Sequence, residues 1–233
     1  MLELLFNVKD FSWHFMAVVT GDISYQNEII MAINSESDIV FVTYSSIEKT
    51  EEKIKFALAK IFEKYDRVDL FTPIFSCIKE LISNATKATA KKILIDDGVI
   101  KNPNDPQEVV TKVRKILNER ALLEYGLKAK RYNLSTRIYF KVYKRHLFIE
   151  VINNIPLSKK EMDKINERIR KSTKYDNIAQ FFIENPDPEA EGMGLGLSMV
   201  VVLLKNINIP SKNFVVSTDG VSKTYAKILV PMT

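Results

Sequence analysis

Glu191-Gly192-Met193-Gly194-Leu195-Gly196-Leu197-Ser198, followed at once by Met199-Val200-Val201-Val202-Leu203-Leu204, is the stretch on which the fold turns. Three of the chain's seven glycines fall between positions 192 and 196. Glycine permits positive φ and close approach of a ligand to backbone. A glycine-rich turn feeding a helix aims unpaired N–H groups and a positive dipole end at one point, an arrangement suited to phosphate. The spacing is GxGxG; the position that a dinucleotide-type GxGxxG requires as glycine is Leu197. The preceding Glu184-Asn185-Pro186-Asp187-Pro188-Glu189-Ala190 is acidic, proline-bearing loop and not strand, which argues against a Rossmann turn. No GxxxxGK[ST] exists in the chain. Alone, the cluster suits a phosphate loop or a flexible hinge equally.

Working back, Lys79-Glu80-Leu81-Ile82-Ser83-Asn84-Ala85-Thr86-Lys87 lies in an apolar-rich segment expected to be helical from about Pro73 to Lys91. At 100° per residue, Glu80, Asn84 and Lys87 fall within about 60° of arc, with Ile78, Leu81, Ile82 and Ala85 opposite. One helix thus buries an aliphatic stripe and presents a carboxylate, an amide and an ammonium in a row. An amide oxygen can ligate Mg²⁺, a carboxylate can take a proton from a hydroxyl, and a lysine can neutralise phosphate. The plainer alternative is an ordinary polar face.

The two segments together resemble the histidine-kinase-like ATPase superfamily, the GHKL or Bergerat-fold group, and within it the catalytic domains of histidine kinases and anti-sigma-factor kinases. Glu80-Leu81-Ile82-Ser83-Asn84-Ala85-Thr86-Lys87 is similar to that family's N-box, E-x-x-x-N-A-x-K, and Gly192–Leu197 to its second glycine box. The tail Asn213-Phe214-Val215-Val216-Ser217, a turn, and Tyr225-Ala226-Lys227-Ile228-Leu229-Val230-Pro231 resembles the closing hairpin of the kinase domains. The resemblance spans about residues 50–233. It implies ATP and Mg²⁺ as ligands, with Asn84 on the metal, Glu80 as the catalytic acid–base residue and Lys87 near the phosphates. The backbone at Gly192, Gly194, Leu195, Gly196 and Leu197 would wrap the triphosphate, and 157–191 would form an ATP lid. Phe181 and Phe182 either supply that segment's usual aromatics or belong to the core.

Three departures qualify the expectation. The family's first glycine box, D-x-G-x-G, is replaced by Asn153-Asn154-Ile155-Pro156-Leu157. Asn153 would accept the adenine amino hydrogen bond without charge assistance, a loss of about 1 kcal/mol. Ile155 and Leu157 stand where glycines would, narrowing both conformation and space. The chain also inserts a helical segment at about 100–130, opened by Asp105-Pro106-Gln107-Glu108, whose acid completes a capping box and whose helix fades near Gly126. The two histidines, His14 and His146, lack the helical H-E-x-x-x-P setting of a phosphoacceptor domain, so a self-sufficient sensor kinase is not expected.

The pattern around these motifs predicts an α+β chain, a two-layer sandwich with helices on one face of a mixed, mainly antiparallel sheet. Residues 1–45 read as a β-rich extension with strands at 15–19 and 38–44, and 46–233 as the ATP-binding domain. Helices are expected over 50–65 and after Ser158-Lys159-Lys160-Glu161, a capping box. Strands 136–143 and 146–152 meet at Lys144-Arg145, and 214–218 and 224–230 flank a turn at Asp219-Gly220. The net charge of +5 comes from basic residues interleaved with acids, a solvated face and not a nucleic-acid surface. The single Cys77 excludes an internal disulfide and fits a small buried residue. No stretch approaches the roughly 18 apolar residues of a membrane span. Met1-Leu2-Glu3-Leu4-Leu5-Phe6 lacks a basic leader, so the cytoplasm is the expected compartment.

The expectation is an ATP–Mg²⁺-binding regulatory module that phosphorylates or otherwise regulates a partner protein in signal transduction, with room for a homodimer. The alternative is a degenerate module of the same fold, acting through protein contacts.

Overall fold

A computed structural model describes residues 16–18, 25–44, 47–116, 119–186 and 196–233. In chain order these form β1 (Met16–Val18), α1 (Tyr25–Asn34), β2 (Asp38–Thr43), α2 (Ile47–Lys64), α3 (Phe71–Asp96), α4 (Pro106–Ile116) and α5 (Glu119–Arg131). There follow β3 (Thr136–Tyr143), β4 (His146–Asn153), α6 (Lys159–Ser172), α7 (Ile178–Glu184), α8 (Gly196–Asn206), β5 (Phe214–Thr218) and β6 (Thr224–Pro231). The expected α+β class holds. The strands make one sheet in the order β1-β2-β3-β4-β6-β5, with β1 parallel to β2 and every other pair antiparallel.

Period-two alternation decides which side of the sheet is buried. Ile39 and Phe41, Ile138 and Phe140, Leu147, Ile149 and Val151, Ile228 and Val230, and Phe214 and Val216 are all buried in one cluster. Helices α2, α3 and α8 close over that face with Ile54, Leu58, Phe62, Ile78, Leu81, Val200 and Leu204. Burying a side chain such as Phe140, which meets Phe41 edge-on at 5.6 Å, contributes about 1.5–3 kcal/mol. The β3–β4 hairpin turns on Lys144 and Arg145, both at positive φ (47° and 57°), as a two-residue hairpin requires. The β5–β6 loop runs to Lys223: Asp219 accepts hydrogen bonds from the N–H groups of Val221, Ser222 and Lys223.

The structure differs from the sequence reading at four places. The 1–45 segment contains a helix, α1, between its two strands, and Ile29, Ala32 and Ile33 of that helix enter the main core beside β2. Helix α3 continues past Lys91 to Asp96, because the residue that stops it is Gly98 at φ 69°, with the Val99 and Ile100 N–H groups both donating to the Leu94 carbonyl. In the inserted segment, helix is described over Pro106–Ile116 and Glu119–Arg131, and it runs through the buried Gly126 to stop at Asn133 (φ 55°). Glu108 does not close a capping box; its carboxylate accepts from the N–H groups of Lys101 and Asn102, while Asp105 Oδ1 caps Gln107 N. The Ser158–Glu161 box forms as expected.

Two features bear on the site. Helix α3 lies across β3 and β4, so its middle turn is fixed from below by the sheet and from the side by α8. A satellite cluster of Leu94, Ile100, Val109 and Val113 fastens α4 to the far end of α3.

Candidate functional site

The site is built on α3. Ile74, Cys77, Ile78, Leu81, Ile82 and Ala85 are buried, which turns Glu80, Asn84 and Lys87 outward in one half-buried row, as their spacing requires. Helix α8 begins against this row. A Cβ built on Gly196, the first residue of α8, would overlap Glu80 Oε1 and would lie 2.9 Å from Glu80 Cδ and 3.0 Å from Asn84 Nδ2. Only glycine fits there without moving its neighbours. Further along the same contact, Cys77 Sγ is 4.0 Å from the Val200 carbonyl oxygen.

Burial pushes the Glu80 carboxyl above the usual carboxylate range, while the Lys87 ammonium and a hydrogen bond from Asn84 pull it back. The net effect is an acid that holds its proton more readily than a solvated one. The first described turn of α8 comes to the same place, where a helix start would aim its N–H groups and the positive end of its dipole at the row. Ser198, in that first turn, is fully buried, and its Oγ finds no partner among the described residues. Asn84 Nδ2 and Glu80 Oε1 both face Gly196, and the Asn84 Oδ1 is an atom able to accept a donor or meet a cation.

Asn153 is not part of this row. It lies at the end of β4, 6% exposed, and turns to the adjoining face of α3. Its Nδ2 donates to the Ala85 carbonyl at 3.3 Å, and Thr89 Oγ1 donates to its Oδ1 at 3.5 Å. The Asn153–Leu157 segment is fastened to the β5–β6 hairpin: Thr224 Oγ1 donates to the Ile155 carbonyl at 2.7 Å, and Leu157 N donates to Thr218 Oγ1 at 3.2 Å. Leu157 itself packs on the main core.

The structure therefore brings together Glu80, Asn84, Lys87 and Gly196. Leu197 is a packing residue at the rim of the core. Gly192, Gly194 and Leu195 lie outside the described residues. Of the expected lid, α6 and α7 are described and 187–191 are not. Helix α6 is tied to α3 by Lys91–Glu161 at 3.3 Å and packs on α8. Phe181 is fully buried, edge-on to Tyr175 at 5.1 Å with the Arg168 guanidinium 5.4 Å from its ring, so it belongs to the packing; Phe182 is 37% exposed.

Sequence reasoning missed a polar band. Thr43, Thr136, Asn153, Thr224 and Thr218 stand in register across five strands, on the core face at the sheet end beneath α3. Strand parity assigns each to that face, but the alignment into one row depends on the pairing, which no single strand reveals. Ser198 was also missed; it sits two residues beyond the last glycine of the cluster.

Comparison with family models, with curated proteins and with solved structures finds no match to this chain.

Proposed function

We propose that this chain is an ATP–Mg²⁺-binding regulatory module of the histidine-kinase-like ATPase type, phosphorylating or regulating a partner protein in cytoplasmic signalling. The observation that carries the proposal is the seating of Gly196 on Glu80 and Asn84, residues 116 and 112 positions away in the chain. A glycine-fed helix start and a carboxylate–amide–ammonium row have no reason to share a location in an ordinary polar face. They have one if both address a single metal-bound triphosphate.

The residues suit Mg²⁺. Among the described residues no group of three or more His, Cys, Asp and Glu forms a protein cage. Mg²⁺ needs none, since it keeps several waters and takes one or two protein oxygens together with phosphate oxygens. Asn84 Oδ1 would be the protein ligand, and the bound metal would neutralise charge on the phosphates. Lys87 would contribute positive charge beside it, and the N–H groups of the first α8 turn would receive a phosphate oxygen. Glu80, a carboxyl with a raised proton affinity, would orient a partner's hydroxyl and take its proton as that oxygen bonds to the γ-phosphorus and the bond from that phosphorus to the β–γ bridging oxygen breaks, releasing ADP.

One observation favours a second reading, a module that acts through protein contacts without catalysis. Asn153, the residue expected at the adenine, is closed on Ala85 and Thr89. Calorimetric titration of Mg–ATP into the wild-type chain and Asn84→Ala separates the two. The nucleotide reading expects saturable binding that Asn84→Ala weakens about tenfold or more. No saturable binding, or equal binding by both proteins, overturns it. Transfer of label from ATP to a candidate partner, absent in Glu80→Gln, then distinguishes a kinase from a passive binder.

A further inference from the structure

We infer that Lys91 is a fourth ligand-binding member of the α3 row, and that Glu161 of α6 competes with the ligand's phosphates for it. The inference rests on the nucleotide reading above and concerns how that same site is regulated.

Lys91 stands eleven residues after Glu80 on α3. At 100° per residue that is about 20° from Glu80, inside the arc spanned by Glu80, Asn84 and Lys87. The step from Lys87 to Lys91 is about 6 Å along the helix axis, one turn. Cα–Cβ bonds on a helix tilt toward its N-terminus, which directs the Lys91 stem toward the Lys87 turn.

An anion already sits at that end of the row, and it belongs to the chain. Lys91 Nζ donates to Glu161 Oε1 at 3.3 Å. The other carboxylate oxygen, Oε2, is held by Ser158, whose N–H and hydroxyl donate to it at 2.9 and 2.7 Å. Burial would raise the Glu161 carboxyl, but the Ser158 bonds and the Lys91 ammonium outweigh it and keep the group below the usual carboxylate range. Glu161 is therefore ionised at neutral pH, fixed in place by a capping box that does not involve Lys91. Helix α6 also packs on α8, the helix that brings Gly196 to the row.

The pair is suited to exchange. Its side chains are 29% and 44% exposed, and ion pairs so placed contribute little, because water screens them and both stems lose freedom. Parting Lys91 from Glu161 leaves the cap whole, since Ser158 keeps both of its bonds. A metal-bound triphosphate at Asn84 and Lys87 presents several negative oxygens, and a compact ammonium on a flexible stem can turn to them. Glu161 thus restrains binding in two ways: its charge repels the phosphates, and its bond withholds Lys91 from them.

Glu161→Gln isolates the charge, because glutamine serves the same position of a capping box. The test titrates Mg–ATP calorimetrically into the full chain as wild type, Glu161→Gln, Lys91→Gln and the double variant, with a thermal melt of each. The inference expects Glu161→Gln to tighten binding about threefold, Lys91→Gln to weaken it about threefold, and the double variant to match Lys91→Gln. A mere structural tether gives the opposite sign, weaker binding by Glu161→Gln with a lower melting temperature, and that result overturns the inference. Wild-type affinity in either single variant also overturns it. So does a gain that persists in the double variant, which would make Glu161 a distant charge acting without Lys91. Binding by none of the four proteins overturns the nucleotide reading itself, and this inference with it, a result distinct from a failed cycle.

Discussion

Glu80 illustrates how one residue carries both a cost and a use. Its folded-state proton affinity is raised chiefly by burial, so folding favours the protonated acid. The contribution of Glu80 to stability is therefore greatest below the unfolded carboxylate value of about 4.3, and it declines as pH rises through the folded-state value. At neutral pH the ionised side chain is a net burden. Glu80→Gln should raise the melting temperature at pH 7 and lose that advantage below about pH 4. A lower melting temperature at pH 7, or a gain independent of pH, would contradict this account of the carboxyl. Cys77 makes a simpler case. Burial between α3 and α8 pushes its thiol up to about 12, so the native protein should resist thiol reagents that label the unfolded chain at once. Labelling of the native protein at the unfolded rate would mean that α3 and α8 separate readily. Spacing alone made the Glu80–Asn84–Lys87 row legible. It did not show that burial would shift the acid, because that depends on α8.

At the scale of elements, the clearest sequence signals were local ones. Ser158–Glu161 closes its capping box, and Lys144-Arg145 and Asp219-Gly220 turn their hairpins, because each depends on contacts within a few residues. The stops of α3 and α5 were misplaced because Gly98 and Asn133 act by left-handed backbone conformations that sequence periodicity does not display. Helix α1 was missed for a related reason. Its ten residues carry Tyr25, Ile29, Ala32 and Ile33 at helical spacing, but a segment this short is marginal as an isolated helix and is held by packing against α2 and β2. Helix α7 is short and hangs on one side chain. Phe181→Ala should release it, raising amide exchange across 178–184 while leaving β3 and β4 protected. Uniform loss of protection across the sheet would show that α7 belongs to the global fold.

For the molecule as a whole, the two-layer class followed from patterning, but the site is a product of topology. The sheet order sends the chain from α3 through the inserted helices and four strands and helices before α8 returns to lie on α3. That return places Gly196 on Glu80 and Asn84, and the same strand pairing aligns the polar band from Thr43 to Thr218. Motif spacing indicated which residues to suspect; only the assembled layers show that Asn153 turns away to α3 while the others face α8. The atoms that an added Cβ at 196 would strike are the ends of flexible side chains. Gly196→Ala should therefore fold well, helped by the better helix propensity of alanine by up to about 1 kcal/mol, while pushing Glu80 and Asn84 out of place. Titration of Mg–ATP into this variant, beside a thermal melt, tests the central claim most directly. The account predicts a melting temperature at or above that of the wild type together with binding weakened about tenfold or more. Wild-type affinity in a well-folded Gly196→Ala protein would contradict it.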